Sequence, residues 1–197
     1  MYTGWMQVGN QWKYYSQGTL KIYGKTFVDG EKVTGWLPLG NRWYYIANDD
    51  YMVTGYYKVG NSTYYFDENG LMKTGWFKIN GEDYYAASSG TIQAQWVKSL
   101  SNWYYVDVDG KMVTGYQTIN GAKYYFASSG LMQKDWFKIN GEDYYAASSG
   151  TIQAQWVKSG RNWYYVDTDG KMVTGDYIID GEVNRFDNQG LWMNQIN

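Results

Sequence analysis

Hydrophobic and polar positions along this chain alternate over two short runs, break at a turn, and begin again. The stretch Trp96–Gly115, WVKSLSNWYYVDVDGKMVTG, shows the unit: an aromatic opener, a short turn, an aromatic triplet, a turn closed by Gly, a Met and Thr-Gly. The same unit opens at Trp36, Tyr56, Trp76, Trp96, Tyr116, Trp136 and Trp156, twenty residues apart each time, and an eighth, degraded copy opens at Asp176. A fixed period of this length marks a solenoid or array and outranks any local reading. One unit is too small to bury a core alone, so neighbouring units must stack to exclude water. The expected fold is all-β, an array of stacked β-hairpin repeats, because no apolar stripe at helical spacing runs long enough for a helix.

Turn chemistry fixes the hairpins. Asn80-Gly81, Asn120-Gly121 and Asn140-Gly141 sit between alternating segments, and Gly40-Asn41 and Gly60-Asn61 reverse the order. Both dipeptides accept the positive φ that a two-residue hairpin turn needs. A turn at Gly40-Asn41 places Leu39 opposite Arg42, Pro38 opposite Trp43, Leu37 opposite Tyr44 and Trp36 opposite Tyr45. Alternation then puts Trp36, Trp43 and Tyr45 on one face and Leu37, Leu39 and Tyr44 on the other. Tyr44, Tyr64, Tyr84 and Tyr104 are expected in the core. The same register sets Lys78 against Asp83.

A longer period overlies the short one. Trp76–Gln95 and Trp136–Gln155 are identical, and Trp96–Gly115 resembles Trp156–Gly175 closely, so the chain repeats at sixty residues, or three units. Duplication accounts for this, and so does a superhelix of about three units per turn. The expected organisation is one array over 1–197: irregular repeats over 5–35, seven regular ones over 36–175 and a degenerate C-terminal cap over 176–197. The chain opens in mid-unit, at Tyr2-Thr3-Gly4-Trp5, as a piece cut from a longer protein would.

Composition narrows the chemistry. With 23 Tyr and 11 Trp, the chain is built on rings rather than on Leu, Ile and Val. The absence of Cys and His excludes disulfides, thiol and imidazole catalysis and thiolate or imidazole metal sites. A net charge of −2, dispersed along the chain, lacks the basic stripe of a nucleic-acid footprint. No window is long and apolar enough for a membrane helix, so no membrane insertion is expected. Asp107-Val108-Asp109-Gly110 has the look of a calcium loop, but turn propensity explains it better, since the equivalent Ala86–Gly90 has no carboxylate. Glu82 with Asp83, repeated as Glu142 with Asp143, sits at a hairpin turn where solvated charges are the plainer reading than a hydrolytic pair. Neither a catalytic residue, a metal nor a cofactor is assigned.

The pattern GW-x6-WYY-x4-G-x-M-x-TG resembles the choline-binding, or cell-wall-binding, repeat of Gram-positive surface proteins and phage lysins. Related repeats occur in glucansucrases and in clostridial toxins, and Gln117-Thr118-Ile119-Asn120-Gly121 followed by Tyr124-Tyr125-Phe126 is similar to those. The resemblance implies a β-solenoid of stacked hairpins of about twenty residues, in a left-handed superhelix with about three hairpins per turn. It implies ligands held between consecutive hairpins, by two aromatics of one, an aromatic of the next and a nearby Met. Carried onto this chain, the first two walls are Trp36/Trp43, Trp96/Trp103, Trp156/Trp163 and, at the start, Trp5/Trp12. The third wall comes from Tyr64 or Tyr65, or from Tyr124 or Tyr125, and the Met is Met52, Met72, Met112 or Met132. Thr63, Asp83, Lys123 and Asp143 stand where the second Trp belongs, so the pocket is expected to be absent or altered at those units. Asn184-Arg185 replaces the last Tyr pair, which predicts that Trp156/Trp163 lacks its closing wall unless a second copy completes it, a route to a homodimer through the terminal repeat.

The implied ligand suits the residues. A quaternary ammonium has no hydrogen-bond donor and is recognised by ring faces, Trp best, at about 0.5–2 kcal/mol per ring. Binding at one site is then weak, on the order of millimolar, while a polymer presenting many such heads gains roughly 10²–10⁴ in avidity. The expected function is a non-catalytic module attaching its parent protein to choline-substituted teichoic acid, extracellular, at the cell surface or cell wall. The alternatives are a glycan-binding module stacking sugars on the same Trp and Tyr faces, and a structural surface stalk.

Overall fold

The computed structural model describes residues 2–193, and among these every regular element is a strand. The first half of the chain pairs β1 (Gly4–Val8) with β2 (Gln11–Tyr15), β3 (Leu20–Ile22) with β4 (Lys25–Phe27), β5 (Gly35–Leu39) with β6 (Arg42–Ile46), β7 (Gly55–Val59) with β8 (Ser62–Phe66), and β9 (Gly75–Ile79) with β10 (Glu82–Ala86). The second half pairs β11 (Gln95–Ser99) with β12 (Asn102–Val106), β13 (Gly115–Ile119) with β14 (Ala122–Phe126), β15 (Asp135–Ile139) with β16 (Glu142–Ala146), β17 (Gln155–Ser159) with β18 (Asn162–Val166), and β19 (Gly175–Ile179) with β20 (Glu182–Phe186). Each pair is a two-stranded sheet of its own. The all-β hairpin array read from the sequence is the fold observed.

The turns follow from residue type. Asn80 and Gly81 both take positive φ, 51° and 86°, as a type I′ turn requires, whereas Gly40 takes it at 59° in the Gly-first manner of type II′. The register across β5 and β6 is Leu39 to Arg42, Pro38 to Trp43, Leu37 to Tyr44 and Trp36 to Tyr45, as the turn dictates. Asp176 and Arg185 hold the places of the opener and its partner across β19 and β20, joined by ion-paired hydrogen bonds of 2.7 and 3.2 Å. The degraded eighth unit therefore remains a full hairpin, with an ion pair where its neighbours have two rings.

The core differs from expectation. Tyr44, Tyr64, Tyr84 and Tyr104 are half-buried. The completely buried side chain is the one that ends the second strand: Ile46, Phe66, Ala86, Val106, Phe126, Ala146 and Val166. Gly35, Gly55, Gly75 and Gly115 lie opposite four of these, each at a positive φ between 66° and 87° that favours glycine.

The chain groups into two compact units, one taking residues up to Gln95 with Val106–Met112, the other Trp96–Tyr105 with the chain from Val113. Inside each, backbone hydrogen bonds knit one hairpin to the connector after the next. The N–H groups of Met72, Ile92 and Met112 donate to the carbonyls of Trp43, Thr63 and Asp83 in the first unit. Those of Met132, Ile152, Met172 and Trp192 donate to Trp103, Lys123, Asp143 and Trp163 in the second, the spacing being 29 residues throughout. Longer bonds run from the Tyr56 hydroxyl to the Asp109 carbonyl in the first unit and from Tyr116 to Asp169 in the second. Both span 53 residues, close to the sixty-residue period.

Gly110 holds φ at 75°, and a Cβ there would stand 2.8 Å from the Tyr85 carbonyl oxygen. Its own carbonyl accepts the Tyr85 N–H at 2.8 Å, so the two backbones cannot part without losing that bond. Gly110→Ala is expected to lower stability by about 1–3 kcal/mol, read as a lower urea midpoint at unchanged slope. Leu100 is the reverse case: φ 56° and 92% exposed at a hairpin tip where the copy sixty residues on has Gly160. Leu100→Gly is expected to raise stability by up to about 1 kcal/mol in the same assay.

Candidate functional site

Strand alternation places Trp96 of β11 and Trp103 of β12 on one face of their hairpin. Their indoles meet edge to face, centroids 6.2 Å apart and planes at 87°, the arrangement that opposes a ring's positive edge to its neighbour's negative face. Tyr124 of the next hairpin meets Trp96 at 5.0 Å and 72°. Met132 is fixed beside them by its N–H bond of 2.9 Å to the Trp103 carbonyl. These four side chains and Ser149 line an open cavity of about 300 Å³.

The constellation recurs sixty residues earlier. Trp36 and Trp43 stand 6.1 Å apart at 83°, and Tyr64 meets Trp36 at 4.8 Å and 78°. With Met72 they line a larger cavity, about 550 Å³, which Tyr23 also borders. Sixty residues later Trp156 and Trp163 stand 6.4 Å apart at 85°. Here the expectation of a missing wall is corrected. Trp192 meets Trp156 at 5.3 Å and 73° and closes a cavity of about 290 Å³. Its indole N–H donates to the Asn184 side-chain oxygen at 3.1 Å, so one of the residues that displaced the Tyr pair now anchors the substitute ring. The signal was in the spacing, since Trp192 follows Trp163 by the interval that separates Met72 from Trp43.

The other residues singled out fall elsewhere. Tyr65 and Tyr125 stack on Phe77 and Phe137, at 5.3 and 5.5 Å, rather than on the Trp pairs, because adjacent residues of a strand point to opposite faces. Trp5 meets Tyr44 at 5.2 Å as Trp36 meets Tyr64, and with Met52 it packs against the first core cluster. Met52 donates its N–H to the Trp12 carbonyl, so the first hairpin is followed in space by β5–β6, with β3–β4 inserted between. Met112 is bonded to Asp83, at a joint without a second indole. Sequence reasoning missed Trp192, Ser149 and Tyr23.

Charge distinguishes the joints. The ammonium of Lys98 lies 5.6 Å from the Trp103 ring and that of Lys158 lies 5.5 Å from Trp163, each within cation–π reach. Trp43 has Pro38 as its cross-strand partner instead. The lining of the three cavities contains no carboxylate among the described residues, so a cation there would be held by rings alone.

Family models described as the choline-binding repeat match residues 33–74, 53–95 and 113–155, and those of a cell-wall-binding repeat match 95–112 and 155–172. The chain belongs to the choline-binding repeat family. Among solved structures it is similar to the choline-binding domain of CbpL from Streptococcus pneumoniae, at TM-score 0.61 and 24% identity over 98% of each chain. It is also similar to the modular autolysin LytC of the same organism, solved with a synthetic peptidoglycan ligand, at 0.60 and 22% over 97% of this chain and 48% of that one. Choline binding protein F of Streptococcus pneumoniae gives 0.51 and 24% over 96% and 92%. At these identities the likeness is one of fold. No curated protein sequence gives a significant match.

Four joints of this choline-binding repeat chain carry polar groups where the second indole would stand, and the charged ones, Asp83, Lys123 and Asp143, are ion-paired. Lys78 pairs with Asp83, and Lys138 with Asp143, at 2.7 Å. Glu82 and Glu142 are bound by Lys111 and Lys171 at 3.1 and 2.6 Å, so the candidate hydrolytic pairs are neutralised carboxylates at turns. The Lys123 ammonium takes Asp169 and the Thr168 carbonyl. Asp107 accepts the N–H groups of Asp109 and Lys111 at 3.0 and 2.9 Å, its carboxylate closing its own turn.

Burial, with the neighbouring Tyr84 and Asp109 behind it, pushes the Tyr56 hydroxyl from its ordinary 10.0 up to about 12. Burial pushes Tyr116 upward as well. The folded chain therefore keeps these protons where the unfolded chain gives them up. The Tyr56 contribution is complete below pH 10 and is lost as pH rises toward about 12. Urea midpoints measured across that window are expected to fall in the native chain and to fall less in Tyr56→Phe, which has no proton to lose.

Proposed function

We propose that this chain is a non-catalytic wall-binding module that holds its parent protein at the cell surface by caging the choline heads of a teichoic acid. One observation carries the reading. At three joints, spaced sixty residues apart, two perpendicular indoles and a third ring bound an open cavity instead of filling one another. Two ring faces at about a right angle form a corner, and a rounded trimethylammonium head touches both. Each face offers the cation its negative quadrupole. The Met or Trp fixed at the corner adds an apolar, polarisable wall.

The repetition fits a polymer. A single cage less the association cost leaves binding on the order of millimolar, and covalently linked cages raise avidity on a chain of repeated heads. The extracellular, cell-wall location follows from that ligand.

Choline titration followed by Trp fluorescence tests this reading. A saturable change with a midpoint on the order of millimolar is expected. Trp103→Ala removes an indole that is 38% exposed and is expected to abolish one site, lowering retention on a choline-bearing matrix, with the thermal midpoint lowered only slightly. A titration that stays flat to high choline rejects the proposal.

A further inference from the structure

The joint at Trp36 and Trp43 is unlike the other two in four respects. Its cavity is about 550 Å³ against about 300 and 290 Å³. Asn41, Thr74, Ser88 and Ser89 contribute polar groups to its lining, where the second cavity has Ser149 alone and the third has indoles only. Trp43 lies across from Pro38, while Trp103 and Trp163 each carry a lysine ammonium near the ring. Finally, Tyr23 stands at its mouth, 6.2 Å from Trp43 with the planes at 41°.

Tyr23 is costly where it is. It occupies the β3–β4 turn at φ 47°, a left-handed conformation that suits Asn or Gly and that a bulky side chain adopts at a cost of about 1–2 kcal/mol. Its ring is 74% exposed, so little burial offsets that cost. Asn would serve the turn better. An aromatic ring held in strain, exposed, and set beside a second aromatic at the rim of a cavity is arranged for a ligand rather than for the fold.

We infer that this joint contains a second subsite, for a neutral pyranose ring, with Tyr23 as its platform. The inference rests on the reading of the joints as ligand sites. A sugar ring has an apolar C–H face and a rim of hydroxyls, and it is bound where an aromatic surface adjoins a few polar groups. Tyr23 and Trp43, tilted toward each other, supply the surface, and the amide of Asn41 and the hydroxyls of Thr74, Ser88 and Ser89 supply the rim. A trimethylammonium head has no group for those donors and acceptors and needs little of the added volume. The ammonium takes the corner of Trp36, Trp43 and Tyr64, and a sugar, free or carrying that head, extends outward over Tyr23.

The test follows the Trp indole N–H signals of the full chain by NMR during two titrations, one with choline chloride and one with a neutral N-acetylglucosamine tetramer. The tetramer is expected to shift Trp36 and Trp43 and to leave Trp96, Trp103, Trp156 and Trp163 in place. Tyr23→Asn, which relieves the turn and so keeps the fold, is expected to weaken the tetramer by about tenfold while leaving the choline-induced shifts of Trp96, Trp103, Trp156 and Trp163 unchanged. Absence of any shift with the tetramer, equal shifts at all three Trp pairs, or undiminished tetramer affinity in Tyr23→Asn would overturn the inference. A silent choline titration beside a positive tetramer titration would instead remove the choline reading and leave this subsite standing.

Discussion

Edge-to-face contact between an opening tryptophan and a ring that follows the hairpin is the interaction on which the joints at Trp5, Trp36, Trp96, Trp136 and Trp156 depend. A lone two-stranded hairpin is marginal in water, because each of its faces exposes what it should bury. Trp36 meets Tyr45 across its own hairpin at 5.2 Å and Tyr64 of the next at 4.8 Å, and so acts as a wedge at the joint. Trp96 does the same with Tyr105 and Tyr124, and Trp136 with Tyr145 and Tyr164. The ring geometry fixes distance and tilt together, which an aliphatic contact would not. With the joint fixed, the connector lies within reach of the earlier hairpin and the 29-residue backbone bonds form.

The site is a variation on that joint. Stacking does not need the second indole. Where Thr63, Lys123 or Asp143 stands at the second position the same backbone bonds form, and the side chains of Lys123 and Asp143 enter ion pairs. Where Trp43, Trp103 or Trp163 stands there, a second ring face appears at right angles to the first and the joint becomes a corner. Replacement of a ring pair by Asp176 and Arg185 in the last hairpin makes the same point from the other side. Strand register is set by turns and backbone, so the pair facing across it is free to change chemistry provided both members change together.

Much of this was legible in the sequence because the period and the turns constrain each other. Gly40-Asn41 and Asn80-Gly81 set the register, the register set the faces, and the faces put Trp36 and Trp43 side by side. What escaped was depth and substitution. Tyr44 and its equivalents are large and apolar enough to pass for core, yet burial goes to Ile46 and Phe66 at the end of the second strand. Alternation sends adjacent tyrosines such as Tyr64 and Tyr65 to opposite faces, and only the position of the neighbouring hairpin decides which of them meets the Trp pair. Trp192 was hidden because it stands in a methionine's place, and Tyr23 because the insertion that carries it breaks the period by which everything else was read.

The three cages are not equivalent, and the difference bears on what a polymer would find. A ring already facing a lysine ammonium offers an incoming cation a weakened field, since the ammonium and the ligand share one quadrupole and repel each other. Trp103 and Trp163 are in that condition, and Trp43 faces a proline. In water the repulsion is modest, at about 1 kcal/mol for two unit charges 4 Å apart, but a cage worth only a few kcal/mol is sensitive to it. Affinity for a repeating ligand then rests on the number of linked cages more than on the quality of any one. Selection acting on such a chain can let single cages weaken, lose an indole or acquire a polar rim while adhesion persists. The mixture observed, three cages of unequal lining among joints that only stack, is what that freedom would produce.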